Sequence, residues 1–244
     1  MFEKKRVNVN GYMIDVQQKV IPSAPSVVFI HGLGVSGRYF MPLARCMSAT
    51  HSVYVIDLPG YGGTPKPTAV LDIKQLAKVV GGFVSQYRLD QPVLVGQSMG
   101  CQVVAQLIAR KPDIYPKAVL IGPTVNRKER NRFMQALRLF QDVFVEPFYA
   151  NKIVFADYLR MGVTRYVQSS SYMIDNHIEK NLRIFAGELV VIRGKKDWIA
   201  PNDWCRFLVQ IARRATFCEI AGAGHLAHYT YANKVGDICE RFSK

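Results

Sequence analysis

The chain has 244 residues, 49% hydrophobic and 20% charged, a composition typical of one large globular domain. No apolar run reaches eighteen residues, which argues against a transmembrane helix. Five dispersed cysteines argue against a disulfide framework or a cysteine zinc site, so we expect a cytoplasmic protein with reduced thiols. The net charge of +14 comes from short separate clusters, so we expect no nucleic-acid partner. A basic solvent-exposed surface accounts for the charge, with attraction to anionic substrates or a membrane surface as the alternative.

The predicted elements begin with an antiparallel hairpin that turns near Asn10–Gly11. Beyond it, short apolar runs alternate with helical patterns, which predicts βαβ units and a largely parallel sheet. The runs are SVVFI (26–30), SVYVI (52–56), PVLVG (92–96), KAVLI (117–121), ELVVI (188–192) and the weaker ATFCEI (215–220). Their continuous apolarity is typical of strands buried on both faces.

Helical patterns separate these strands. The first starts after Asp72, which forms a capping-box pattern with Gln75. One long block, 124–185, contains helical patterns and no buried-strand run, so we predict a helical cap there, inserted into a core formed by 1–123 and 186–244. Five aromatic residues of this block could line an apolar pocket, but we favour helix packing for most of them: Phe133, Phe140, Phe144, Phe148 and Tyr149.

The segment GQSMG (96–100) carries the strongest chemical signal. Ser98 lies where a predicted strand ends and a helix begins, with glycines two residues before and two after it. Those glycines let the strand and helix backbones approach without clashes, which lifts the serine above the sheet on a tight turn. An ordinary turn serine remains the alternative, but the strand and helix around the motif favour a nucleophile.

A serine nucleophile needs a base and an orienting carboxylate. We favour His225 over His228 as the base, because the small residues before His225 allow its loop to reach across the sheet. We expect His31 to support a loop, and His51 and His177 to be surface or helix residues. Asp197 follows a strand at the carboxyl edge, where α/β sites form, whereas Asp57 fits a turn.

Backbone N–H groups must also stabilise the oxyanion of an acyl-transfer reaction. We expect one donor from Met99, which opens the helix after the turn. The second is expected from Leu33 in HGLGVSG, where Gly32 and Gly34 let the backbone come close.

The chain resembles the α/β-hydrolase superfamily in five motifs that occur in the family's order: HGLG (31–34), DLPGYGG (57–63), GQSMG (96–100), GKKDWIAP (194–201) and GAGH (222–225). The resemblance implies an α/β fold with an eight-stranded, mostly parallel sheet, a cap after strand 6, and no cofactor or metal. It also implies a small-molecule acyl substrate whose ester or thioester bond is cleaved; the net charge and the aromatic residues of the cap suggest that this substrate is anionic or apolar. Besides other acyl chemistry, on an amide or a lactone or by perhydrolysis, two alternatives stay open. One is hydrolysis of a carbon–carbon bond in a dienoate, against which Cys101 stands where those relatives have glycine. The other is a ligand receptor that does not turn over.

Overall fold

The computed structural model describes residues 1–243, which form an eight-stranded sheet flanked by helices. The strands are β1 (Glu3–Val9), β2 (Tyr12–Lys19), β3 (Ser26–Ile30), β4 (Ser52–Asp57), β5 (Val93–Gln97), β6 (Lys117–Ile121), β7 (Glu188–Gly194) and β8 (Ala215–Ile220). Their order is β1-β2-β4-β3-β5-β6-β7-β8. Only β2 runs against its neighbours; all the other pairs among these strands are parallel. The predicted fold class is confirmed.

The helices of the described residues are α1 (Met41–Met47), α2 (Ile73–Gln86), α3 (Met99–Ile108), α4 (Arg132–Val143), α5 (Phe148–Met161), α6 (Val163–Asp175), α7 (Ile178–Ile184), α8 (Asn202–Ile211), α9 (Ala227–Thr230) and α10 (Ala232–Ser243), with a short 3₁₀ turn at Gly37–Phe40. None of them is both long and apolar enough to span a bilayer.

Local sequence determines two of the predicted features directly. The β1–β2 hairpin turns at Asn10 and Gly11, whose φ values of 52° and 85° give the left-handed turn that fits the twist of the strands. At the start of α2, the Asp72 side chain accepts the Gln75 N–H and the Gln75 side chain accepts the Asp72 N–H. Both predictions are confirmed.

The central strands are buried on both faces, as their apolar runs predict. Val28 and Ile30 of β3 pack with α2, α3, α7 and α8, whereas Val27 and Phe29 of the same strand pack with α1 and α10. Because helices cover both faces of the sheet with apolar side chains, polar side chains from the sheet can come together only at the ends of its strands. A site is therefore expected at the carboxyl edge.

Four helices, α4–α7, lie between β6 and β7. The last of them, α7, buries Ile178 and Leu182 in the same core cluster as α3 and α8. Helix α5 contacts the loop after β3, because its Asp157 accepts hydrogen bonds from Ser36 and Arg38.

The expectation of helix packing for the aromatic residues of this block was wrong. All five side chains are exposed: Phe133, Phe140, Phe144, Phe148 and Tyr149. On α4 the polar side faces the protein instead, because Asp142 is buried and Arg138 is paired with Glu129. The helical spacing was predicted correctly, but the apolar side of α4 faces solvent and not the protein.

The close approach of α3 to β3 generates a test. A Cβ on Gly100 would overlap the carbonyl oxygen of Ile30, which is backbone and cannot give way. We expect Gly100→Ala to lower the free energy of unfolding by about 1–3 kcal/mol or more in chemical denaturation. Gly81→Ala is the matched control, because Gly81 is also helical and its Cβ would meet side-chain ends alone, Leu107 Cδ2 at 3.1 Å and the Tyr115 hydroxyl at 3.6 Å. An equal effect of the two substitutions would contradict this account of the contact.

Candidate active site

Ser98 lies in a strained turn between the end of β5 and the start of α3. Its φ of 54° and ψ of −118° are uncommon for a residue with a side chain. The Ser98 N–H donates to the carbonyl of Ile121 at 3.0 Å, and the Ser98 carbonyl accepts from Cys101 at 3.0 Å. A Cβ on Gly96 would come within 2.5 Å of the Gly100 carbonyl oxygen. The two glycines therefore allow the tight turn that holds Ser98 half-exposed at the carboxyl edge of the sheet.

Asp197 and His225 form a buried hydrogen-bonded pair on the loops after β7 and β8. The Asp197 Oδ2 to His225 Nδ1 distance is 2.9 Å. The other carboxylate oxygen, Oδ1, accepts the N–H groups of Ile199 at 2.9 Å and Ala200 at 2.8 Å. These donors fix the carboxylate, and the carboxylate in turn fixes the imidazole ring.

Gly122, directly after β6, joins this pair to Ser98. A Cβ on Gly122 would lie 2.8 Å from His225 Nδ1 and 3.0 Å from Asp197 Oδ2, so only glycine leaves room for the ring. The preceding residue, Ile121, accepts the Ser98 N–H. The serine, the histidine and the aspartate thus gather around the end of one central strand.

The loop after β3 runs beside Ser98. A Cβ on Gly32 would lie 3.1 Å from Ser98 Cβ, which places the backbone leading to Leu33 next to the serine side chain. His31 holds this loop: its Nε2 accepts the Leu58 N–H at 3.0 Å, so its Nδ1 donates to the Gly32 carbonyl at 2.8 Å. Burial lowers the pKa of His31, which keeps that ring neutral.

A model of the alpha/beta hydrolase family matches residues 27–236. The chain belongs to the alpha/beta hydrolase family.

Individual relatives are more distant. The biotin biosynthesis bifunctional protein BioHC of Cellvibrio japonicus is 30% identical over 89% of this chain and 47% of that protein. A pimeloyl-(acyl-carrier protein) methyl ester esterase of Pseudoalteromonas atlantica is 28% identical over 48% of this chain and 44% of its own. The chain thus spans less than half the length of these curated relatives.

Among solved structures, the 2-hydroxy-6-oxo-6-phenylhexa-2,4-dienoate hydrolase of Rhodococcus sp. strain RHA1 superposes with a TM-score of 0.81. The superposition covers 99% of this chain and 98% of that one at 18% identity, which is a likeness of fold alone.

The remaining candidates of this hydrolase lie apart from the Asp197–His225 pair. His228 is buried against the ring of Phe40, 4.6 Å between centroids, and burial lowers the pKa of His228 to about 3. Asp57, the last residue of β4, accepts the N–H of Gly37 at 2.6 Å from the short 3₁₀ turn that follows β3. His177 pairs with Glu179 at the surface. Contrary to expectation, His51 lies neither on the surface nor in a helix: it is buried directly before β4, where its Nε2 bonds Ser243 Oγ at 2.7 Å.

The sequence analysis did not identify two acidic residues that lie near His225. Glu146 accepts the Leu226 N–H at 2.7 Å, which anchors the loop that carries His225. Asp142, one helical turn earlier, is buried beside it, and its Oδ1 has no hydrogen-bond partner among the described residues. The available signal was the spacing of four between a carboxylate near the end of an amphipathic helix, Asp142, and one in the turn after it, Glu146.

These carboxylates set the charge state of the imidazole. Burial alone would lower the pKa of His225, but the hydrogen bond and charge of Asp197 outweigh it, helped by Asp142 and Glu146. Together they raise the pKa of His225 to about 9. Burial raises the pKa of Asp142 to about 7 and that of Glu146 above its usual range.

A histidine NMR titration tests this electrostatic arrangement. We expect the His225 ring to titrate near pH 9, whereas His228 should stay neutral at every pH above about 5. Asp142→Asn removes a negative charge that favours the imidazolium, so the His225 midpoint should fall. The exposed Asp175→Asn is the matched control and should leave it unchanged. An unshifted His225 midpoint near 6.5 in the unmodified protein would contradict the arrangement.

Proposed function

We propose that this alpha/beta hydrolase is a serine hydrolase that cleaves carboxylic esters or thioesters through an acyl-enzyme. Ser98 is the nucleophile, His225 the general base and Asp197 the residue that orients the base. The observation that carries the proposal is the buried Asp197–His225 pair, 2.9 Å between Oδ2 and Nδ1, gathered with the strained turn of Ser98 around Gly122.

The hydrogen bond to Asp197 determines the course of the proton. Because His225 Nδ1 faces the carboxylate, that nitrogen carries the proton in the neutral ring and Nε2 keeps its lone pair. Nε2 takes the proton of Ser98 Oγ as that oxygen attacks the substrate carbonyl, and it then gives the proton to the leaving alcohol or thiol. A water molecule then attacks the acyl carbonyl while Nε2 takes its proton. The proton passes to Ser98 Oγ as the acid leaves, which restores the serine.

The oxyanion of each tetrahedral intermediate is assigned to the N–H groups of Leu33 and Met99. The position of Gly32 beside Ser98 supports the first donor, and the place of Met99 as the first residue of α3 supports the second. The positive end of the α3 dipole adds to the attraction for negative charge.

Helices α4–α6 complete the proposal as a cap over the site. Contacts across the carboxyl edge support it: α6 accepts a bond from Gln102 at the Met173 carbonyl, 2.8 Å, and Tyr158 of α5 lies against Gly34. The predicted limits of 124 and 185 would include α7, which packs in the core, so we place the cap in α4–α6. The substrate is then a small acyl compound, anionic or apolar, and the location proposed is the cytoplasm, in keeping with five free cysteines.

A nucleophile test decides the reaction class. A fluorophosphonate should label the protein at Ser98, and Ser98→Ala should abolish both labelling and turnover.

Turnover on p-nitrophenyl esters of graded chain length is then compared with turnover on acyl-CoA thioesters and a dienoate. Preference for the dienoate would favour carbon–carbon hydrolysis, and ligand binding without multiple turnover would identify a receptor. Labelling that survives Ser98→Ala refutes the nucleophile.

The two neighbouring histidines provide a matched pair for the base. We expect His225→Ala to lower kcat about 10³-fold or more on an activated ester, while His228→Ala costs far less. Asp197→Asn should also impair turnover strongly, because the ring loses its orientation and the stabilisation of its charged form. The kcat/KM of the unmodified protein should rise with pH up to about 9, as His225 becomes neutral. Circular dichroism confirms folding, and a crippled His228→Ala beside an active His225→Ala would reverse the assignment.

A further inference from the structure

The helices α4 and α5 each present a stripe of apolar side chains to solvent. On α4 the exposed side chains recur at helical spacing from Phe133 to Phe144, and on α5 the same pattern runs from Phe148 to Leu159. We call this surface the outer face, formed by Phe133, Leu137, Phe140, Phe144, Phe148, Phe155 and Leu159. Phe133, Phe144 and Phe148 are each more than 70% exposed. A patch of large exposed aromatic side chains marks an interaction surface.

The charges around the outer face have one sign. Arg132, Lys152 and Arg160 are exposed on the same two helices, and the Lys152 ammonium lies 4.7 Å from the centre of the Phe148 ring. None of the four acidic residues between positions 127 and 174 is exposed. Glu129 is paired with Arg138, and the others are buried on the inner side: Asp142, Glu146 and Asp157. Arg160 lies 3.6 Å from the buried carboxylate of Asp157, but the exposed charged side chains on the two helices are all basic, so the solvent-facing surface is apolar and cationic.

The exposed apolar side chains and their basic neighbours favour a lipid bilayer over a second copy of the chain as the binding partner. A second copy of the chain would place the same cations against each other, and the net charge of +14 adds a general repulsion. An amphipathic helix with Phe and Leu on one side and Lys and Arg beside them is typical of a segment that lies in the interface of a lipid bilayer. Anionic headgroups also neutralise the flanking cations.

We propose that the outer face of α4 and α5 docks the protein on the surface of an anionic lipid bilayer. The aromatic side chains enter the boundary between headgroups and acyl chains, and Arg132, Lys152 and Arg160 contact the lipid phosphates. The inner side of these helices carries Asp142 and Asp157 toward the loops of the candidate site, and Glu146 in the turn after α4 contacts the same loops. Docking by the outer face therefore uses no residue of the proposed triad.

Vesicle sedimentation tests the docking directly. Ser98→Ala protein is used throughout, so that hydrolysis cannot alter the lipid, and it is mixed with large unilamellar vesicles of phosphatidylcholine, either pure or with about 30% phosphatidylglycerol. We expect binding to the anionic vesicles that weakens as salt is raised. Phe140→Gln with Phe144→Gln should lower the partition coefficient about tenfold or more, and Arg132→Gln with Lys152→Gln should remove the preference for anionic lipid.

The matched control is Ile114→Gln with Ile184→Gln. Both isoleucines are exposed and lie shortly before β6 and β7, at the amino ends of these strands and away from the carboxyl edge. This control should bind like the parent protein. Three results would overturn the proposal: no binding to anionic vesicles, equal loss in the control, or a dimer in solution that Phe140→Gln with Phe144→Gln dissociates while vesicle binding stays absent. The last result would show that a second copy covers the face. Because vesicle binding needs no turnover, failure here leaves the proposed hydrolysis to its own tests.

Discussion

The left-handed backbone at Ser98 is the constraint on which the rest of the site depends. A side-chain-bearing residue pays about 1–3 kcal/mol to hold such a conformation, so the surroundings must enforce it. Here the enforcement comes from Gly96 and Gly100, which let α3 lie directly on β5 and β3, and from the Ser98 N–H bond to Ile121. The same strand end carries Gly122, whose missing side chain admits the His225 ring. Close packing at the carboxyl edge thus determines the position of both the serine and the histidine.

The second determinant is the amount of negative charge buried behind the imidazole. Asp197 is held by two backbone N–H groups, and Asp142 and Glu146 add to its field from α4 and the turn that follows. That field stabilises the imidazolium that forms in the proposed reaction, but it also keeps the free ring protonated. With the pKa of His225 at about 9, only about one molecule in a hundred holds a neutral base at pH 7. Protonation of Asp142, with a pKa of about 7, removes part of the field, so the two groups titrate as a coupled pair.

Much of the fold could be predicted from the sequence, because its strands are continuous apolar runs and its turns use residues with a specific conformational role, such as Asn10–Gly11. Ser98, Asp197 and His225 could be selected because each follows a strand, and strand ends of a parallel sheet meet at one edge. Asp142 and Glu146 could not be, since periodicity shows that a helix has two sides but not which side faces the protein. The same ambiguity made the aromatic residues of α4 look like core. Their exposure follows from the inward-facing carboxylates and the Arg138–Glu129 pair, which are tertiary contacts.

The most direct test of the central claim is whether an acyl group becomes bonded to Ser98 during turnover. The protein is mixed with a p-nitrophenyl ester, quenched in acid within the first turnover, and analysed by intact mass and peptide mapping. The account predicts one acyl adduct per chain, located on Ser98, formed together with a burst of p-nitrophenol and absent from Ser98→Ala. An adduct on another residue, or undiminished ester turnover by Ser98→Ala, would contradict it.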